Sequence, residues 1–268
     1  MADNQTVPVS SKVAIIAITA VLYAIAKGAT AFIPTPWGVG ELLIGIFIPA
    51  FFAVVCDTWS VAIGAGLGTF IGDSLFLTAA GGTNPALSLI AGVPANFFAF
   101  LLFGWFVKKY KTWGAFVAAT ISFVTLGNLI AGASIVLFGA EVFTPVKGLV
   151  ATHYAPGLIF GFTAFWSLTM VPVIIVVVPI LVRAVKPLKG RTSILSFYPD
   201  WTRGGLRTPI LASALFALVL LAIALLFLPS DIGLSVYAQV LEDVALAIVA
   251  LVIVVPVLVA APLAGRKT

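Results

Sequence analysis

Three ionisable residues stand inside stretches of this chain that are otherwise almost wholly apolar: Lys27, Glu41 and Asp73. An ionisable group at membrane depth is costly, so it faces protein or a water-filled cavity and marks a ligand or proton site. Their depths can be counted along helices. Lys27 lies 15 residues after Lys12, Glu41 15 before Cys56, and Asp73 15 after Thr58. At a rise of 1.5 Å per residue, each reaches about 22 Å from the same face. All three therefore share one level. An ion pair between Lys27 and one or both acids relieves the cost of burying each alone, and the Lys27–Asp73 pair is the first expected. The plainer alternative is a snorkelling lysine and two hydrated acids.

Further candidates surround that level. Asn96 and Asn128 fall near mid-depth, where an amide bonds a neighbouring helix or a ligand. Trp37 and Trp166 offer aromatic faces for a flat ligand or act as interfacial anchors. His153 and Tyr154 belong to an outer loop and read as ordinary solvated residues. Asp73 ends a stripe of small residues, Gly64, Gly68 and Gly72, in VAIGAGLGTFIGD. Spaced every fourth residue, these glycines form a smooth face for close helix packing in lipid.

The elements that must hold these residues are membrane spans. Of the 268 residues, 62% are hydrophobic and 9% charged. Soluble domains run near 45–50% apolar and about 25% charged. About 20 mostly apolar residues cross a bilayer. The pattern predicts an all-α, polytopic membrane bundle of about 8 transmembrane helices, at 12–33, 41–56, 58–77, 86–107, 113–138, 157–182, 208–228 and 244–263. This divides the chain into a six-helix membrane domain (1–185), a basic cytoplasmic linker (186–207) and a two-helix hairpin (208–268).

With the N-terminus inside, the cytoplasmic segments gather Lys12, Lys108, Lys109, Lys111, Arg183, Lys186, Lys189, Arg191, Arg203, Arg207, Arg266 and Lys267. The positive-inside rule then places both termini in the cytoplasm of a multi-pass protein in the cell membrane. The net charge of +5 is accounted for by topology, so nucleic acid is not an expected partner. The N-terminal stretch MADNQTVPVSSK carries no basic leader before a cleavable apolar core, so no signal peptide is expected.

Several chemistries lack their parts. The single Cys56 excludes an internal disulfide, and the single His153 excludes a bis-histidine haem within the chain. There is no GxxxxGK[ST] for a P-loop, and no HExxH, GxSxG or paired-cysteine motif. Neither an enzyme, a metal site nor a bound cofactor is expected.

The first span carries Ala20, Ala24 and Gly28 at every fourth position (AVLYAIAKG). A short second span follows, then the glycine-rich third ending in Gly72 and Asp73, then a loop opening on Asn84 and Pro85 (TNPALSLIAG). Over residues 12–185 this arrangement resembles the substrate-binding S components of energy-coupling factor (ECF) transporters. The resemblance implies a six-helix core that binds a small, vitamin-like molecule in its outer half, with the loop IPTPWGVG as a lid. It also implies that Ala20, Ala24 and Gly28 dock a coupling transmembrane subunit, energised by two cytoplasmic ATPases. The substrate-binding candidates are then Trp37, Glu41, Asp73, Asn84, Asn96, Asn128 and Trp166, and the surrounding partner is membrane lipid. The two extra C-terminal spans depart from the family's six. Two other readings stand beside this one: an ion-coupled secondary transporter using Lys27, Glu41 and Asp73 as a proton relay, and a non-transporting structural subunit of a larger membrane complex.

Overall fold

A computed structural model describes residues 7–188, together with Thr192, Ile194, Leu195 and Pro199. The expected hairpin 208–268 and most of the linker lie outside the described residues. Within them the protein is all-α, and its one β-bridge joins Pro34 to Glu41. The helices are α1 (Val9–Gly28), α2 (Ile44–Val55), α3 (Thr58–Leu77), α4 (Pro85–Tyr110), α5 (Trp113–Glu141), α6 (Thr144–Thr152) and α7 (Ala155–Ala184).

Local chemistry sets where they start and stop. Asp57 caps α3, accepting from the Ser60 backbone N–H (2.9 Å) and its hydroxyl (2.6 Å). Asn84 caps α4 by accepting from Leu87 N–H (2.8 Å), with Pro85 at the first helical position where no N–H is needed. Lys111 leaves α4 in the left-handed conformation (φ 52°), and Thr112 caps α5 through Ala115 N–H (3.1 Å).

Five helices, α1, α3, α4, α5 and α7, are long and apolar enough to cross a bilayer, which makes this a multi-pass membrane protein. That differs from the six spans expected over 12–182. The second, expected at 41–56, is helical only over Ile44–Val55, because Glu41 is held in extended backbone by its bridge to Pro34. An apolar run does not by itself distinguish helix from buried loop.

α1 packs on α3, α3 on α4, α4 on α5, and α5 on α7; α2 touches α7, α4 and α3. The short α2 is thus enclosed, with Ala50, Ala53, Val54 and Val55 fully buried. Its last turn is tied down by Lys108, whose ammonium donates to the Cys56 carbonyl and to Thr58 Oγ1 (2.8 Å).

The glycine stripe of α3 meets α1 directly. A methyl group on Gly68 would stand 2.8 Å from the Ala20 carbonyl oxygen, and one on Gly72 3.3 Å from Ala24 Cα. Gly28 faces the ring of Phe76 in the same way. The stripe Ala20, Ala24, Gly28 was expected to dock a separate subunit, but it is spent inside this chain. Ala20 and Ala24 are each 4% exposed. Two small-residue stripes of matching spacing are complementary to one another, so the fold uses them as its own seam. Facing outward from α1 are Val13, Val21, Leu22 and Ile25.

Candidate substrate cavity

The three buried charges converge. Lys27, on the last turn of α1, sets its Nζ 2.6 Å from Glu41 Oε1 and 3.0 Å from Asp73 Oδ1. All three residues are buried: Lys27 is 3%, Glu41 1% and Asp73 5% exposed. One ammonium therefore serves two carboxylates.

Each arm of this triad is positioned by a distinct local device. At Asp73 the α-helix of α3 widens into a π turn through Leu77, and Thr78 returns both its N–H (2.8 Å) and its hydroxyl (2.9 Å) to the Asp73 carbonyl. A second π turn, Ser88–Gly92, interrupts α4. Such bulges concentrate at functional sites. Here they let Ser88 donate its hydroxyl to Asp73 Oδ2 (2.6 Å). Gly92 permits the approach, since a Cβ there would lie 2.9 Å from Thr69 Cγ2 and 3.2 Å from Asp73 Oδ2.

Glu41 comes from the loop before α2 rather than from a span. The backbone around it is firmly held. Leu42 N–H donates to Ile33 O (2.9 Å), Gly40 N–H to Gly82 O (2.9 Å), and the Trp166 indole N–H to Glu41 O (2.9 Å). Gly38 and Gly40 take positive φ (70° and 77°), which a side chain at either would oppose.

The triad lines a cavity with about 690 Å³ of atom-free space, part of it open to solvent. Its walls come from α3, α4, α5 and α7, with Lys27 of α1, the loop before α2 and Ile46 of α2. Apolar groups dominate, among them Leu43, Ile46, Leu87, Phe100, Ile135 and Met170. Of the residues singled out in the sequence, Lys27, Glu41, Asp73, Asn96, Asn128 and Trp166 line it. Asn96 bridges Tyr23 OH (3.2 Å) and the Gly92 carbonyl (2.9 Å), while Asn128 donates to Ser167 Oγ (3.0 Å).

Trp37 and Asn84 are not among the lining residues. Trp37 packs on Phe162 (ring centroids 4.7 Å apart) and over Gly161, where an added methyl would stand 2.5 Å from its ring. Asn84, besides capping α4, donates its amide to the Val142 carbonyl (2.6 Å) and so joins the start of α4 to the end of α5. Ser88, Thr69 and Gly92 line the cavity without having been singled out. A serine or threonine in an apolar run carries no signal until its neighbour across the helix interface is known.

Outside the spans, burial tends to raise the Asp57 carboxyl, but the Ser60 hydrogen bonds and the charges of Lys12 and Lys108 outweigh it. Asp57 is held below the usual carboxylate range. Comparison of the chain with protein-family models, curated proteins and solved structures finds no match in any of the three.

Proposed function

We propose that this chain is the substrate-binding membrane subunit of an ECF-type uptake transporter. It holds a small, vitamin-like molecule in the cavity and relies on a coupling transmembrane subunit and cytoplasmic ATPases for energy. It works in the cell membrane with its N- and C-termini in the cytoplasm. The observation that carries the reading is the cavity itself, apolar-walled with a buried Lys27–Glu41–Asp73 tier. Pockets of this kind bind small molecules by apolar contact and orient them with a few polar groups. The sequence holds no P-loop of its own, in keeping with an external source of ATP energy. With the small-residue stripe of α1 facing α3, the docking face in this proposal becomes the outward row Val13, Val21, Leu22 and Ile25.

The test is uptake into proteoliposomes. Uptake that requires added coupling subunit, ATPases and ATP is the expected result. Accumulation by the purified chain alone, driven by an ion gradient, overturns it. That second outcome belongs to a proton-coupled carrier, which the buried Glu41 Oε2, accepting no hydrogen bond, favours as the alternative.

A further inference from the structure

The hydrogen-bond and charge inventory of the cavity is unbalanced. Among the described residues lining it, Lys27 is the one cation, while Glu41 and Asp73 are the acids. Asp73 accepts a hydrogen bond from the Ser88 hydroxyl at Oδ2 (2.6 Å), while Oδ1 stands in an ion pair 3.0 Å from Lys27. Glu41 has one oxygen, Oε1, in an ion pair 2.6 Å from Lys27. Its other oxygen, Oε2, is buried and accepts no hydrogen bond. A buried carboxylate oxygen without a donor is expensive, and the cost is removed when a donor arrives. The helix termini do not shift this balance. The N-termini of α2 (near Leu43 and Ile46) and α4 (near Leu87 and Ser88) lend partial positive charge, and the C-termini of α1 (at Lys27) and α3 (near Leu77) lend partial negative charge, so they offset.

From this we infer that the cavity selects an organic monocation, whose ammonium or amidinium N–H group pairs with the Glu41 carboxylate while an apolar or aromatic body lies against the lining. The inference rests on reading the cavity as the substrate site. A metal ion is the poorer occupant, because the Lys27 ammonium already stands between the two carboxylates. Among the described residues, no group of three His, Cys, Asp or Glu side chains is placed to hold one. A free carboxylate or phosphate ligand would bring like charge against Glu41 in a site already one charge negative.

The test uses three isosteric probes, benzamidinium, benzamide and benzoate, titrated into the purified full chain in detergent, with binding read by calorimetry and by the rise in apparent Tm. Sodium chloride at equal concentration controls for ionic strength and for a simple cation. Benzamidinium is expected to bind at least about tenfold more tightly than benzamide, with benzoate weakest, since a hydrogen bond to a charged group is worth that much or more. Glu41→Gln should lower benzamidinium affinity by about the same factor and leave benzamide little changed. Equal or tighter binding of benzoate or benzamide overturns the inference. So do a sodium chloride effect that matches benzamidinium and an absence of benzamidinium binding. Should Glu41→Gln fail to fold, the ranking of probes on the unaltered protein decides alone. Uptake that proceeds without ATPases would sink the ECF reading while leaving the probe ranking, and hence this inference, untouched.

Discussion

Replacing Lys27 by Met tests the triad most severely. The substitution keeps most of the side chain's volume but removes the one charge held 2.6 Å from Glu41 and 3.0 Å from Asp73. Two carboxylates, both less than a tenth exposed, are then left facing each other without a counter-charge. Removing one partner of a buried ion pair costs about 3–5 kcal/mol. For a chain of this size that corresponds to a fall in apparent Tm on the order of 10 °C. Removing an acid instead leaves a balanced pair. In Asp73→Asn, Lys27 still meets Glu41, and the new amide oxygen can accept from Ser88. In Glu41→Gln, Lys27 keeps Asp73. Each acid variant should therefore lose less than half of what Lys27→Met loses. The double variant Lys27→Met with Asp73→Asn should be more stable than Lys27→Met alone, because it carries one orphan charge in place of two. Thermal unfolding monitored by size-exclusion fluorescence in one detergent, across the full double-mutant cycle, supplies the numbers. Strictly additive losses would refute the reasoning, since independent sites add and a shared ammonium does not.

The remaining predictions concern the scaffold. Gly68→Ala places a methyl 2.8 Å from the Ala20 carbonyl oxygen and should cost about 1–3 kcal/mol in thermal stability by prising α1 from α3. Gly66→Ala, whose nearest neighbour would be Val93 Cγ1 at 3.5 Å, should be neutral or stabilising in the same assay. Lys108→Met frees the Cys56 carbonyl and Thr58 hydroxyl at the end of α2; a loss of about 1–3 kcal/mol is expected, read as a lower apparent Tm. Asp57→Ala removes the α3 cap and should cost about 1 kcal/mol near neutral pH. Because the folded Asp57 carboxyl titrates below its ordinary value, its contribution is complete above the unfolded value and is lost as pH falls through the folded one. The gap between wild type and Asp57→Ala should thus close in acid, as a series of melts from neutral to low pH would show.

Much of the architecture could be read from residue order, because lipid imposes a length and a polarity that few other environments impose. The boundaries of α3, α4, α5 and α7 follow from apolar runs closed by Asp57, Asn84–Pro85, Lys111–Thr112 and Arg183. The common level of Lys27, Glu41 and Asp73 followed from counting helical rise, although Glu41 reaches that level on a loop. Pairing was the harder question. Spacing shows that Ala20, Ala24 and Gly28 make a smooth face, and that Gly64, Gly68 and Gly72 make another. Nothing local says that each is the other's partner. Asn84 and Trp37 fall outside the cavity lining for a related reason. A polar or aromatic residue at the end of an apolar run serves equally well as a ligand contact, a helix cap or a plug, and only the geometry around Val142 and Gly161 separates these uses.

The hydrogen bond from Gly40 N–H to the Gly82 carbonyl (2.9 Å) has a mechanical corollary. It ties the segment entering α2 to the segment leaving α3, so the two rims are joined backbone to backbone. A graft or epitope inserted in one rim will be felt at the other, 42 positions away in the chain.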